Sequence, residues 1–404
     1  MSKLFEIALG VITGIGGFLE AGSLTTAAQA GAAFGYQLIW AIAVGTVCIA
    51  FLVEMAGRLA AVSRHALPDA MRERFGIRFF LVPLAAVALV SFLVLASEIG
   101  GVTLALEFAT GISHRWWAIP TALSIWLLLW KGTFGMVEKG TSMLGLVTLA
   151  FVVAALTLHP HPAEVARGLV PRGPTHDAAR YWFTAVSIVG ASVSPYLFYF
   201  YSAGAVEDQW DEGYLTINRI TAGVGMTFGG AVAVAALVCA ALVLHPQGIQ
   251  VDRFEQIPFL LTSPLARAGF WLFVGALFIA CFGAALEIAL QLAYLVAQGF
   301  GWRWGENLQP REAARFALVY TVVIPLAALV ILSGIDPLKL TVISMALTAL
   351  SLPVTVVPLL ILMNDPQYLN EHTNGWVSNV AVLAVSAIAC LVALVALPLE
   401  ILGS

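Results

Sequence analysis

Apolar stretches follow one another almost end to end along this chain, separated by short polar connections. About 20 residues rising 1.5 Å each cross a hydrocarbon layer of about 30 Å, so stretches of this length predict membrane-spanning helices. About eleven are expected, at roughly 5-33, 36-62, 79-110, 114-131, 138-158, 179-204, 215-244, 264-299, 309-333, 337-363 and 374-401. The pattern therefore predicts an all-α membrane protein with no separate soluble domain.

Composition agrees with the pattern. Of the 404 residues 60% are hydrophobic and only 10% charged, and mean hydropathy is +0.94, which excludes an ordinary soluble domain. The first span reads as a retained helix, because its apolar stretch is too long for a signal peptide and no small-residue cleavage site follows. Cys48, Cys239, Cys281 and Cys390 lie singly within expected spans, so neither a disulfide framework nor a metal-type spacing is present and core thiols are expected. A net charge of -4 spread over a membrane protein says nothing about nucleic acid, and with no basic patch none is expected as a partner. Lys and Arg concentrate on one side of the expected spans, above all between Arg58 and Arg78, and this places the N-terminus in the cytoplasm and the C-terminus outside. The stretch from His159 to His176 reads as an external loop.

Two expected spans break the apolar rule. In the first, Glu20 sits in the run Gly16-Gly17-Phe18-Leu19-Glu20-Ala21-Gly22-Ser23. A carboxylate at bilayer depth costs roughly 2.5 to 3.5 kcal/mol on insertion scales and is functional by default. Glycines on both sides let the helix unwind locally, which is tolerated only where backbone lines a protein cavity. In the sixth, Pro195 follows Gly190-Ala191-Ser192-Val193-Ser194. It removes a donor and frees the carbonyls around Ala191 to Ser194 as candidate ligands. Interrupted helices about five spans apart suggest two inverted five-helix repeats, 5-158 and 179-363, plus an extra helix at 374-401, meeting at a midplane site.

These residues also resemble a known family. Gly17-Phe18-Leu19-Glu20-Ala21-Gly22-Ser23 through Gln29-Ala30-Gly31-Ala32-Ala33-Phe34-Gly35-Tyr36 is similar, without gaps, to the DPGN and QAGAQFGY-like run of the Nramp divalent-metal transporters. Glu54-Met55-Ala56-Gly57-Arg58-Leu59, Arg72-Glu73-Arg74-Phe75-Gly76, Gly190-Ala191-Ser192-Val193-Ser194-Pro195-Tyr196 and the stretch from Ser344 to Leu360 resemble later motifs in the right order. The resemblance implies a LeuT-type inverted repeat with unwound first and sixth spans, and proton-linked uptake of divalent metal.

Departures from the family pattern reshape that expectation. The ligands implied by DPGN and MPH become Glu20, Ser23, Ala191 and Ser194 here, and the methionine sulfur is lost. Carboxylate, hydroxyl and carbonyl oxygens favour hard ions, whereas a thioether favours softer ones. The histidine of MPH is Tyr196, and a second histidine is Tyr201. An unperturbed phenol titrates only near about 10 and does not replace an imidazole near neutrality. Glu98 matches an acid of the family's proton pathway while the acid one turn earlier is Leu95. A tenth-span glutamine is Met345, and the polar eighth-span signature is reduced to Glu287.

The resulting expectation is a non-enzymatic secondary transporter of divalent cations, of the Mg²⁺/Mn²⁺ class or broadly selective, resembling magnesium-transporting Nramp relatives. Glu20, Ser23, Ala191 and Ser194 would hold the ion. Gly22, Tyr196 and Met345 would line the cavity, and Glu98 and Glu287 would serve as proton path or gate. Each has a structural alternative: Glu20 as a neutral acid joining helix breaks, the serines bonding carbonyls of their own helices, Tyr196 and Met345 as packing. No cofactor is expected beyond the transported ion, proton coupling is weak or absent, and the chain is expected to act as a monomer in a bacterial-type inner or plasma membrane. Two alternatives remain open. One is a transporter of the same fold with a non-metal substrate. The other is a non-transporting Nramp-like receptor, disfavoured because no output domain follows residue 404.

Overall fold

The computed structural model describes residues 20–131 and 146–403, and every regular element in them is helical. Gly16, Gly17 and most of the first expected span lie outside the described residues, as does the start of the fifth. Helix α1, Ala21–Phe34, completes the first span and ends at Gly35, whose φ of 58° suits a residue without a Cβ. It is built almost wholly from small residues, which lets other backbones come close. A Cβ on Gly31 would lie 2.2 Å from the Leu237 carbonyl oxygen.

Next come α2 (Ile39–Ser63), the short α3 (Leu67–Phe75), α4 (Ile77–Thr110) and α5 (His114–Trp130). Helices α6 (Leu149–Thr157) and α7 (Pro162–Gly168) follow, the latter in the stretch expected as a loop. The sixth span divides into α8 (Ala178–Ser192) and α9 (Pro195–Glu207), with Val193 and Ser194 between them in non-helical conformations. Pro195 stands at the first position of α9, where its missing N–H costs nothing, so the expected break falls immediately before it.

The remaining helices are α10 (Leu215–Val243), α11 (Phe259–Gly299), α12 (Ala314–Leu332), α13 (Pro337–Met363), α14 (Pro366–Leu369) and α15 (Trp376–Gly403). Helix α11 begins five residues before the expected 264 because it continues through a kink: Pro264 precedes Ala266, which has a φ of 52°. Helix α12 begins at Ala314 rather than 309, since residues 309–313 form turns.

Among the described residues, eight helical segments are long and apolar enough to cross a membrane. Their burial sorts them. The α8–α9 span is wholly buried in its most apolar window, whereas only 33% of that of α15 is. Apolar side chains such as Trp116, Leu391 and Ile388 stay exposed, an arrangement expected of a surface facing lipid. Helices α1, α8 and α9 therefore occupy the centre. Helix α1 packs on α10 and α8, and α9 packs between α2 and α11.

Candidate functional site

Glu20 immediately precedes α1 with an extended backbone, φ -126° and ψ 174°, so the carboxylate stands at the N-terminal end of that helix. Its side chain is only 2% exposed. Ser194, at the break of the sixth span, donates to Glu20 Oε1 at 3.2 Å and also lies 3.4 Å from the Gly190 carbonyl and 3.5 Å from that of Ala191. One hydroxyl proton cannot serve all three acceptors fully, so this bond is shared. The Tyr196 hydroxyl reaches the same carboxyl. Oε2 of Glu20 nevertheless forms no hydrogen bond of standard geometry.

Glu98 approaches from α4. The Ala21 amide, the first of α1, donates to both its oxygens at 3.1 and 3.2 Å. A helix N-terminus favours an anion at this point. The Cys281 thiol of α11 also donates to Glu98. Glu20 and Glu98 lie within electrostatic range of each other, and Glu287 joins both in acting on the Tyr196 hydroxyl. No Lys, Arg or His among the described residues forms an ion pair with Glu20 or Glu98.

The structure thus brings together Glu20, Ala191, Ser194 and Tyr196, with Glu98 and Glu287 nearby. Ser23 is turned toward the backbone instead. Its hydroxyl accepts from the Glu20 amide and donates to the Glu20 carbonyl, both at 3.1 Å. Met345 lies between α1 and α8. A Cβ on Gly22 would stand 2.5 Å from its Sδ and Cε, and one on Gly190 would stand 1.9 Å from its carbonyl oxygen. A thioether therefore reaches the first turn of α1 from α13, although Ser194 carries none. Among the described residues no three His, Cys, Asp or Glu side chains converge as a metal cage, so a bound ion would rely largely on neutral oxygens.

Three residues near this region were not singled out by sequence. Cys281 is the buried core thiol that was expected, and it also touches Glu98. Gln291 and Gln298 are fully buried in α11, at four and eleven positions beyond Glu287. That spacing places them on one helix face and is the signal that would have found them.

Comparison with solved structures agrees with the fold. A manganese transporter of Eremococcus coleocola, in complex with an aromatic bis-isothiourea compound, superposes with a TM-score of 0.78 at 20% identity, covering 98% of this chain and 86% of that one. Mhp1, a nucleobase-cation-symport-1 family transporter in a closed conformation, gives 0.63 at 16% identity over 97% and 92% of the two chains. MhsT in complex with L-phenylalanine gives 0.62 at 13% identity over 96% and 97%. The architecture is accordingly of the LeuT type. Residues 10–398 match the model of the Nramp family, described as natural resistance-associated macrophage protein-like. The chain belongs to the Nramp family.

Proposed function

We propose that this integral membrane protein is a secondary transporter of divalent cations, hard or broadly selected and of the Mg²⁺/Mn²⁺ class, with weak or absent proton coupling. The observation that carries the reading is Glu20: a buried carboxyl at the start of α1 with one oxygen lacking a hydrogen bond and, among the described residues, no basic side chain paired to it. Such a group needs a proton or a cation. Glu20 supplies the charge, Ser194 a hydroxyl oxygen and Ala191 a carbonyl. Tyr196 orders the carboxylate or a water of the ion.

Ser23 acts by holding the start of α1 rather than by ligation unless its hydroxyl leaves the Glu20 backbone. Met345, beside Gly22, adds a polarisable sulfur at the edge of an otherwise oxygen-rich site, which supports broad selectivity over strict hardness. The proposed repeats, 5–158 and 179–363, would pivot about this site, with the N-terminus cytoplasmic.

Flux into liposomes with Mg²⁺, Ca²⁺ and Mn²⁺ side by side tests the reading. Uptake of at least one ion, lost on removing the Glu20 charge, supports it. Absence of all three fluxes from folded protein would favour the same fold carrying a non-metal substrate, a reading that the lack of a multi-carboxylate cage among the described residues keeps in view.

A further inference from the structure

Helices α9 and α11 face each other along a seam of mixed polar and aromatic side chains. At about 100° per residue, Glu287, Gln291, Tyr294 and Gln298 fall within one stripe about 60° wide on α11, and Tyr196, Phe200, Ala203 and Glu207 do the same on α9. Contacts fix these stripes against each other. Glu287 acts on Tyr196 at the site end, and Phe200 and Tyr294 have ring centroids 6.1 Å apart midway. At the far end the Tyr294 hydroxyl meets Glu207 and lies 3.5 Å from Glu306 Oε2, while the Glu306 amide donates to Glu207 Oε1 at 2.8 Å.

Gln291 and Gln298 are both 0% exposed, yet the nitrogen and the oxygen of each amide lack a hydrogen-bond partner. An unsatisfied buried polar group costs about 1 to 3 kcal/mol, so several on one stripe call for an occupant. The occupant must both accept from an amide nitrogen and donate to an amide oxygen. A metal ion cannot accept from the nitrogen. Water does both.

We propose that this seam holds a file of ordered water that carries protons between Glu287 and the Glu207–Glu306 end of the bundle. A proton enters as hydronium beside these carboxylates and passes by exchange of O–H bonds along the water. It adds to a carboxylate oxygen of Glu287, which either returns it by the reverse sequence or releases it to water of the substrate cavity when that opens to the opposite face. The glutamines orient the water and exchange no proton. The charged and titratable groups facing the ends are Glu20, Glu98 and Tyr196 around Glu287, and Asp208 and Tyr294 around the carboxylates. The route uses no histidine and does not depend on which substrate is carried.

Two measurements on the full chain in liposomes test it. In Q291C and Q298C, labelling by a methanethiosulfonate ammonium reagent, read by mass spectrometry above the native cysteines, should run at least about ten-fold faster than in Leu292→Cys, because only a hydrated thiol ionises readily. Leu292 is also buried, at 2% exposure, but points off the stripe. The double variant Gln291→Leu/Gln298→Leu should lower proton influx under an imposed potential in metal-free buffer while retaining a monodisperse, folded protein. Thiols no faster than the Leu292→Cys control, a wild type without such influx, or an unchanged influx with a raised Tm in the double variant would each overturn the proposal.

Discussion

Ser194 Oγ donates to Glu20 Oε1 across 3.2 Å, joining the residue that opens α1 to one 174 positions away at the break of the sixth span. The bond ties the charge of the first span to the freed carbonyls of the sixth. An ion entering here would compete with Ser194 for the same carboxylate oxygen, so loading would reorganise the contact between the start of α1 and the sixth-span break.

Replacing Glu20 with Gln keeps the volume and the Ser194 contact but removes the anion. Divalent flux should fall to background, while expression and the gel-filtration profile stay near wild type. Normal flux would remove Glu20 from the ligand set.

Ser194 is 3% exposed and crowded by three oxygens, so the test of ligand softness needs an isostere. Ser194→Cys replaces a hard donor with a soft one of similar size and should raise Cd²⁺ affinity relative to Mg²⁺ by about ten-fold, equivalent to about 1.4 kcal/mol. An unchanged selectivity order in calorimetric titrations would place Ser194 outside the ion's shell.

Gly22 and Gly190 both crowd Met345, but against different atoms. A Cβ at residue 22 meets the flexible end of the side chain, whereas one at residue 190 meets the carbonyl at 1.9 Å. Gly22→Ala should cost about 1 kcal/mol and perturb flux more than folding; Gly190→Ala should cost about 3 kcal/mol or prevent expression. Thermal-shift assays in detergent compare them. Met345→Ala should rescue the first variant and not the second.

Much of this was legible in sequence. Apolar run lengths placed the eight spanning helices seen among the described residues, and Pro195 bracketed the sixth-span break, which falls at Val193 and Ser194. The motif order around Glu20 and Ala191 to Tyr196 identified the groups that the fold brings together. What run lengths do not carry is helix rotation across long separations. Glu98 capping the Ala21 amide, 77 positions away, Cys281 beside it, and Met345 filling the gap at Gly22 all depend on how α4, α11 and α13 turn toward α1. Ser23 shows the same limit at short range: its hydroxyl had ligand and backbone roles equally open, and local capping geometry favours the backbone.

Outside the spans, Asp365 caps α14 by accepting from the Gln367 amide and pairs with Arg74 at 2.7 Å. The amide bond first, and then Arg74, hold its carboxyl below the ordinary value. A depressed folded-state pKa stabilises the loop above the unfolded value of about 3.9, and that contribution disappears as pH falls through the folded value. Asp365→Asn should therefore speed hydrogen exchange at Gln367 at neutral pH. The difference from wild type should vanish in acid.

Proton coupling is the last test, and the geometry separates it from simple proton movement. Coupling requires that metal and proton compete for, or jointly stabilise, the same group. Glu20 is engaged by Ser194 and Tyr196, Glu98 by the Ala21 amide and Cys281, and the proposed water file ends on Glu287 rather than on either. Tyr196 and Tyr201 are phenols that stay protonated near neutrality, so neither replaces a histidine as carrier. With a metal gradient imposed across liposomes and a dye reporting internal pH, little metal-driven acidification is expected, and proton influx under voltage should be nearly the same with and without metal. A strong metal-driven signal that disappears in Glu98→Gln would show instead that one acid beside the α1 N-terminus suffices to couple the two fluxes.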